Sequence, residues 1–217
     1  TKDIIIVNKP AGQLSQGAKG FDLDLVSEVM TYNASQGKSA YAAIINRLDR
    51  PVSGLVLIAR NKSAAAKYST LMQKEGGFNK QYEALICGKL SEPKGTFVDY
   101  LKKDGRTNTS AIVPADAAAN DKDAKLSKLE YEVISYDEVK DITHVRIHLI
   151  TGRHHQIRVQ FASRRHPLVG DYKYATADCG MDNAVKAVAL KRNQIALCAV
   201  SLTVDNKTYS VAPEFLL

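Results

Sequence analysis

Apolar residues fall in short runs along this chain, and most of the runs have the pattern of β-strands. A near-continuous apolar run, as in residues 3–7, is typical of a strand buried on both faces. At 145–149, Val, Ile and Leu alternate with Arg and His, which is typical of a strand with one exposed face. Strands are predicted at 3–7, 55–60, 81–87, 96–101, 110–113, 129–133, 145–149, 195–204 and 208–211.

Helical spacing occurs in three segments. Apolar residues recur every four positions across 21–29, which predicts a short amphipathic helix. A second helix is predicted over 64–74, because Asn61 and Ser63 just before it can each cap a helix. The third is predicted over 154–163, where apolar side chains share one face.

The order of these elements indicates the fold class. Strands and helices do not alternate regularly, which favours an α+β fold with a largely antiparallel mixed sheet. Residues 114–127 are rich in Ala, Asp and Lys without periodicity, so we predict an exposed loop there. We expect one catalytic domain over 1–217, built from two sheet halves around a central cleft with a few flanking helices. We expect no accessory RNA-binding module within this chain.

Composition adds a preference for an anionic partner. The chain has 217 residues, 45% apolar and 24% charged, the profile of a globular protein. Thirty Lys and Arg against 23 Asp and Glu give a net charge of +7, which favours nucleic acid as partner. Cys87, Cys179 and Cys198 form no Cys-x-x-Cys pair, so we predict reduced thiols in a cytoplasmic protein. No apolar run is long enough for a bilayer, and we expect a monomer that binds neither membrane nor metal.

The most informative segment is Asn-Arg-Leu-Asp-Arg-Pro-Val-Ser-Gly at 46–54, directly before a predicted buried strand. Its carboxylate, Asp49, lies between Arg47 and Arg50 and is followed by a proline. Neighbouring positive charge favours the ionised form of a carboxylate and can also dock a polyanion. Taken alone, such a cluster is most often a structural ion pair.

Two later segments carry further chemistry. In Lys-Gln-Tyr-Glu-Ala at 80–84, strand alternation puts Lys80 and Tyr82 on one face, a combination that suits a stacked nucleobase. Core packing is the commoner role of a lone strand tyrosine. Thr-Gly-Arg-His-His-Gln-Ile-Arg at 151–158 would collect donor groups at the beginning of a helix, a favourable place for anions.

Together and in this order, the three segments resemble the signature of the RluA-type pseudouridine synthases. The matching pieces are Arg47-Leu48-Asp49 with Ser53-Gly54-Leu55, Lys80-Gln81-Tyr82 and Gly152-Arg153-His154-His155-Gln156-Ile157-Arg158. The resemblance extends from about Ile4 to the C-terminus. The chain departs from the family pattern at Asn46, His154 and Cys198, which bears on substrate choice more than on activity.

The resemblance implies the pseudouridine synthase fold and isomerisation of uridine in ribosomal or transfer RNA, with the target base flipped out of its stack. It implies no cofactor, since the reaction needs neither a redox change nor a group donor. It makes Asp49 the catalytic carboxylate, with Arg158 as its orienting partner. Tyr82 would stack on the flipped base.

The resemblance also implies a set of substrate contacts. Arg47 would fill the gap left in the RNA or hold the flipped phosphate, and Leu197 would form an apolar wall under the base. Lys80 and Arg153 are expected to bind phosphate. Two further substrate-binding residues are expected in the third motif, His155 and Gln156.

Two other functions stay open on the residues alone. A non-catalytic RNA-binding protein could share the fold and keep Asp49 as a structural residue. A metal-dependent nuclease or hydrolase would rest on four histidines, although they lack the spacing of a closed ligand set. These are His144, His148, His154 and His155. No glycine-rich phosphate-binding loop joins a buried strand to a helix, which leaves kinase, GTPase and dehydrogenase functions without support.

Overall fold

The apolar runs of the sequence form the strands of two compact units. The first unit consists of residues 1–79 and 198–213, and the second of residues 80–197 and the chain from 214 onward. The computed structural model describes residues 1–17, 24–74, 77–188, 190 and 193–215. The strands are β1 (Ile4–Lys9), β2 (Ala43–Ile44), β3 (Ser53–Ala59), β4 (Asn79–Cys87), β5 (Lys94–Asp104), β6 (Thr109–Val113), β7 (Lys125–Asp137), β8 (Ile142–Leu149), β9 (Leu197–Val204) and β10 (Lys207–Ser210). The helices are α1 (Leu25–Ser35), α2 (Lys62–Gln73), α3 (Ala115–Ala118), α4 (Gln156–Ala162) and α5 (Met181–Ala187).

The first unit is a mixed sheet. Strand β3 pairs antiparallel with β1 and with the short β2, and parallel with β9. Strand β10 returns antiparallel along β9. Asp205 and Asn206 connect β9 to β10 with φ values of +47° and +60°, the left-handed pair that a tight hairpin turn requires. The last two strands that the sequence predicted therefore form a hairpin.

The core of the first unit lies between β3 and α2. Every residue of β3 is buried, as expected for its unbroken apolar run. Asn61 caps α2, because its side-chain oxygen accepts from the amide of Ala64 at 2.8 Å. Tyr68 of α2 reaches the core and packs against Phe78, with 6.4 Å between ring centroids. The predicted Asn61 cap of this helix is confirmed.

The second unit is an antiparallel sheet in the order β4-β8-β7-β5-β6. One face of this sheet is covered by α4, whose Phe161 is fully buried. Phe161 meets Phe97 of β5 edge to face at 5.1 Å and Tyr131 of β7 at 5.9 Å. These aromatic contacts fix α4 on the sheet. The structure confirms the α+β class with largely antiparallel pairing.

The structure departs from the sequence-based prediction at several elements. The loop expected over 114–127 contains helix α3 and the first residues of β7. Strand β7 extends to Lys125 because that end pairs with Leu101 of β5, a long-range contact that local composition does not encode. Helix α5 was not predicted, and its two buried residues, Met181 and Ala184, are too few for a clear periodic signal. Helix α1 begins at Leu25, and the expected beginning at residue 21 lies outside the described residues.

Lys9, at the end of β1, is a fully buried lysine. Its ammonium donates to the carbonyls of Pro10 and Gln13, both at 2.9 Å, and to that of Arg50 at 3.4 Å. The bonds join the turn after β1 to the turn before β3. Burial lowers the pKa of Lys9 from 10.5 to about 8, since the charged form loses water.

We predict that Lys9→Met lowers the free energy of unfolding by about 3 kcal/mol, because it removes the three hydrogen bonds that the ammonium donates to partly buried carbonyls. The difference should widen between pH 8 and pH 10. The folded-state pKa of Lys9 lies below its ordinary value, so the unfolded chain binds more protons in that window and this lysine favours folding increasingly as pH rises. Urea unfolding at several pH values measures the effect, with exposed Lys2→Met as control. A difference that stays constant with pH would contradict the argument.

Gly54 sits where β3 and β9 approach most closely. Its φ is +116°, and a Cβ at this position would overlap the backbone of Ala199, its partner on β9. We predict that Gly54→Ala destabilises the protein by about 2–4 kcal/mol, through both the clash and the left-handed conformation. Gly105→Ala is the matched control, because nothing lies within 4 Å of its added Cβ. Thermal melting of both variants checks this, and equal shifts would refute the prediction.

Candidate active site

Asp49 lies on a turn that is fastened to the segment after β1. The hydroxyl of Ser15 donates to the carbonyl of Leu48 at 2.6 Å, and the amide of Leu48 points back at the same hydroxyl at 3.2 Å. On the other side, the amide of Gly12 donates to the carbonyl of Arg50 at 2.7 Å. The guanidinium of Arg50 returns a bond to the carbonyl of Gly12 at 2.9 Å. The backbone on both sides of Asp49 is therefore held in place.

The charge environment of Asp49 includes a cation that sequence reasoning missed. The negative charge of Asp49 raises the pKa of Lys9, against the larger lowering caused by burial. The sequence directed attention to Arg47 and Arg50, both of which are exposed. Two features of the sequence could have indicated Lys9: it ends an apolar strand, and it directly precedes Pro10. A lysine at such a position points back under the following turn.

Asn46, one of the departures from the family pattern, has a structural role. Its amide nitrogen donates to the carbonyl of Leu55 at 3.1 Å, and its side-chain oxygen accepts from the amide of Leu57 at 2.7 Å. The side chain of Asn46 therefore makes the two hydrogen bonds that the backbone of a neighbouring strand would make along β3. The amide fixes the beginning of the Arg-Leu-Asp segment against the buried strand.

Lys80 and Tyr82 point to the same side of β4, as the alternation predicted. Both are buried, and Tyr82 pairs with Ile147 of β8. A Cβ atom added to Gly152 would lie 3.7 Å from the ammonium of Lys80. The Lys80 side chain therefore extends to the segment before α4. Desolvation by burial lowers the pKa of Lys80.

The segment before α4 differs from its predicted form. Helix α4 begins at Gln156, two residues later than expected, because His155 adopts a left-handed conformation with φ of +53°. His154 therefore lies outside the helix and is not one helical turn from Arg158. A non-glycine residue in this conformation costs energy and is often found at functional sites.

Arg158 projects from α4 into a buried ion pair with Asp171. Its Nε donates to one carboxylate oxygen at 2.7 Å and its Nη2 to the other at 2.8 Å. The two side chains are only 7% and 2% exposed. This bidentate geometry fixes the plane of the guanidinium. None of the three motifs of the sequence analysis contains Asp171.

The two histidines before α4 belong to a polar cluster with Ser110 and Tyr174. The ring of His154 stacks on that of His155 with 3.8 Å between centroids. Nδ1 of His154 lies 2.8 Å from the Ser110 hydroxyl, and Nδ1 of His155 lies 2.6 Å from the Tyr174 hydroxyl. Tyr174 was not predicted as a site residue, since nothing in its local sequence distinguishes it.

Gln156 is engaged within the second unit. Its side-chain oxygen accepts from the hydroxyl of Thr151 at 2.8 Å and from the amide of Arg153 at 3.0 Å. Its nitrogen donates to the carbonyl of Lys128 at 3.1 Å and to the side chain of Gln160 at 3.0 Å. These bonds use the donors and acceptors of a primary amide, so Gln156 stabilises the segment that carries Arg153 and His155.

Two other predicted substrate contacts differ in exposure. Arg153 is exposed, and its Nε donates to the carbonyl of Leu126 at 3.1 Å. Leu197 begins β9 and is 4% exposed. The structure therefore brings Lys80 near the Gly152-Arg153 segment in the second unit, while Asp49 and Arg47 share one turn in the first.

The strand histidines have acidic partners. His144 lies 3.1 Å from a carboxylate oxygen of Glu83, which also binds Arg146, and His148 lies 3.4 Å from Glu130. Among the described residues, no group of three or more His, Cys, Asp or Glu is arranged to hold a metal ion. In the same part of the chain, every helix is too short or too polar to cross a membrane.

Comparison with known proteins places these features in a family. The profile of the family described as RNA pseudouridylate synthase matches residues 3–163. Ribosomal large subunit pseudouridine synthase D of Buchnera aphidicola is 33% identical over 174 residues, which cover 80% of this chain and 52% of that protein. Ribosomal large subunit pseudouridine synthase C of Rickettsia bellii is 32% identical over 172 residues, covering 79% and 54%. The chain spans about half the length of these curated relatives.

Solved structures agree on the fold. Human RNA pseudouridylate synthase domain containing 4 matches with a TM-score of 0.78 at 18% identity, covering 98% of this chain and 86% of that one. Human RNA pseudouridylate synthase domain containing 1 matches with a TM-score of 0.72 at 22% identity, covering 100% and 87%. With the family profile over most of its length and relatives above 30% identity, the chain belongs to the RNA pseudouridylate synthase family, as its RluA-type motifs indicated.

Proposed function

We propose that this protein isomerises uridine to pseudouridine in RNA. The observation that carries the proposal is membership of the family together with an intact Arg47-Leu48-Asp49 segment held on a fastened turn. We further propose that residues 1–217 act as one catalytic domain. The net charge of +7 agrees with a polyanionic substrate.

The reaction sets simple chemical demands. The bond between C1′ and uracil N1 breaks, the uracil turns, and a bond forms between C1′ and C5. The proton then leaves C5 and N1 gains one, so the product is an isomer of uridine. No electrons are gained or lost overall and no group is donated, so we propose that no cofactor takes part. The uridine must leave its stack before its sugar is accessible.

Asp49 is the proposed catalytic carboxylate. It can attack C1′ as a nucleophile or remove the proton from C2′ as a base, and both routes require the ionised form. The negative charge of Asp49 raises the pKa of Lys9, so the buried ammonium and this carboxylate interact electrostatically. Positive charge beside Asp49 also makes the turn attractive to a ribose-phosphate chain.

Tyr82 and Arg158 are the proposed partners of Asp49 in catalysis. Tyr82 would stack on the flipped uracil and assist loss of the C5 proton. Arg158 would orient the carboxylate, and its bidentate bond to Asp171 supports this role because the guanidinium plane is fixed before RNA binds. A preset guanidinium lowers the entropy cost of assembling the site.

The other predicted residues are proposed to bind RNA around the uridine. Exposed Arg47 would occupy the space left by the flipped base, and Leu197 would form the apolar wall. Arg153 and Lys80 would hold phosphates, with His155 as a further donor. Gln156 would act indirectly, by fixing the backbone of this segment.

Ribosomal RNA is the proposed substrate class. The two curated relatives named above are ribosomal large subunit pseudouridine synthases, at 33% and 32% identity to this chain. We propose that the protein works in the cytoplasm, in line with its cysteine pattern, and that it works as a monomer.

Asp49→Asn tests the proposed chemistry. We predict a loss of kcat of about 100-fold or more, because the amide can neither attack C1′ nor accept a proton. RNA affinity should stay within about threefold of wild type, since one exchange of oxygen for nitrogen leaves the basic surface intact. Tritium release from uracil C5 in a large-subunit rRNA transcript measures activity, and filter binding measures affinity.

The control for this experiment is Asp116→Asn, the same exchange at an exposed aspartate of α3. It should retain full activity. Wild-type activity in Asp49→Asn would exclude Asp49 as the catalytic group. Wild-type protein that binds RNA but never releases tritium would instead favour the non-catalytic RNA-binding alternative.

Deletion of the gene tests the substrate class. We predict that one or a few pseudouridines disappear from the large-subunit ribosomal RNA and return when the wild-type gene is restored. The Asp49→Asn gene should not restore them. Chemical mapping of pseudouridine in total RNA reads this out, and losses confined to transfer RNA would refute a ribosomal substrate.

A further inference from the structure

Tyr174 joins three elements of the second unit. It follows the turn at Asp171, where its own amide donates to the Asp171 carbonyl at 3.2 Å. Its hydroxyl oxygen accepts from the amide of Ser110 at 2.9 Å, at the edge strand β6. The same hydroxyl lies 2.6 Å from Nδ1 of His155. One phenol therefore links the edge of the sheet to the segment that begins α4.

The ring of Tyr174 makes two further contacts. The guanidinium carbon of Arg158 lies 5.1 Å from the ring centroid, a distance at which a cation is attracted to an aromatic face. The ring of His155 meets Tyr174 edge to face at 5.5 Å with an interplanar angle of 86°. The hydroxyl therefore contacts His155, and the ring contacts both Arg158 and His155 of the same motif.

Asp171 and Tyr174 form a two-part clamp on Arg158. They lie three residues apart on one turn, so a single backbone feature positions both. The carboxylate of Asp171 fixes the plane of the guanidinium by two hydrogen bonds. The aromatic face of Tyr174 attracts the same guanidinium and so restricts its position. Arg158 is buried, so its orientation depends on these groups more than on water.

His155 needs such support because its backbone is strained. A histidine with φ of +53° is in a sparsely populated conformation, which persists when its surroundings hold it. The short contact with the Tyr174 hydroxyl and the stack on His154 supply this restraint. The imidazole is thereby presented in one fixed orientation.

We propose that Tyr174 is a positioning residue for the isomerisation: its hydroxyl holds the imidazole of His155, and its ring holds the guanidinium of Arg158. The inference rests on the proposed function, in which Arg158 orients the catalytic carboxylate and His155 contacts RNA. It adds a residue that none of the three sequence motifs contains. A fixed orientation before substrate binding speeds the chemical step without strengthening ground-state binding.

Two substitutions separate the hydroxyl from the ring. Tyr174→Phe removes the hydroxyl and keeps the ring beneath Arg158, and we predict a fall in kcat of about 10-fold with KM little changed. Tyr174→Leu removes both, and we predict a fall of about 100-fold. Tritium release from uracil C5 of a large-subunit rRNA transcript provides both constants, and circular dichroism confirms the fold of each variant.

Nuclear magnetic resonance supplies a measurement that does not depend on activity. In Tyr174→Phe the ¹⁵N signal of His155 Nδ1 should shift, because its hydrogen-bond partner is gone, while the signals of His144 and His148 stay in place. In Tyr174→Leu the Nε–H signal of Arg158 should also broaden. These readings separate a failure of this inference from a failure of the proposed function, since they remain measurable if no RNA is modified.

Tyr172→Phe is the matched control. Tyr172 lies on the same turn, is 60% exposed, and bonds Asp182 at 3.0 Å, away from the two histidines. It should retain wild-type kcat and unchanged histidine signals. Wild-type kcat in both Tyr174 variants, or a His155 signal that Tyr174→Phe leaves in place, would overturn the proposal. An equal loss of kcat in Tyr172→Phe would overturn it too.

Discussion

Burying a charged side chain costs free energy unless an opposite charge or several hydrogen bonds replace the lost water. Both candidate regions of this protein are organised by that constraint. Lys9 is fully buried, and its ammonium is held by three carbonyls, two from the turn after β1 and one from the turn that carries Asp49. Arg158 is buried and is held by both oxygens of Asp171. In each unit, satisfying one buried cation fixes the backbone or side chain on which the proposed chemistry depends.

The same constraint explains why the motifs contain residues without a direct chemical role. Gln156 uses its amide on four neighbours to shape the segment around Arg153. Asn46 uses its amide to bind the edge of β3. Such residues convert a flexible loop into a rigid support, which matters because a misplaced group weakens catalysis strongly. A short sequence motif therefore contains residues that hold the site in shape as well as residues that take part in the chemistry.

The sequence predicted most strands of the fold and the three segments that carry the candidate site. The buried run of β3, the alternation that places Lys80 and Tyr82 together, and the Asn61 cap all follow from local patterns. Local patterns failed at the beginning of β7 and at α4. Pairing with β5 extends β7, and the left-handed His155 delays α4. In both cases a distant contact outweighs local propensity.

What the sequence determined by itself was the fold class, the order of the motifs and the family, because periodicity and motif spacing are properties of the chain. What only the tertiary structure decided was which side chains complete the site. Lys9 lies forty residues before Asp49, and Asp171 and Tyr174 follow Arg158 with no motif to link them. Their importance comes from burial and hydrogen bonding to distant residues. These properties arise only when the folded chain removes water from the charged groups and supplies their partners.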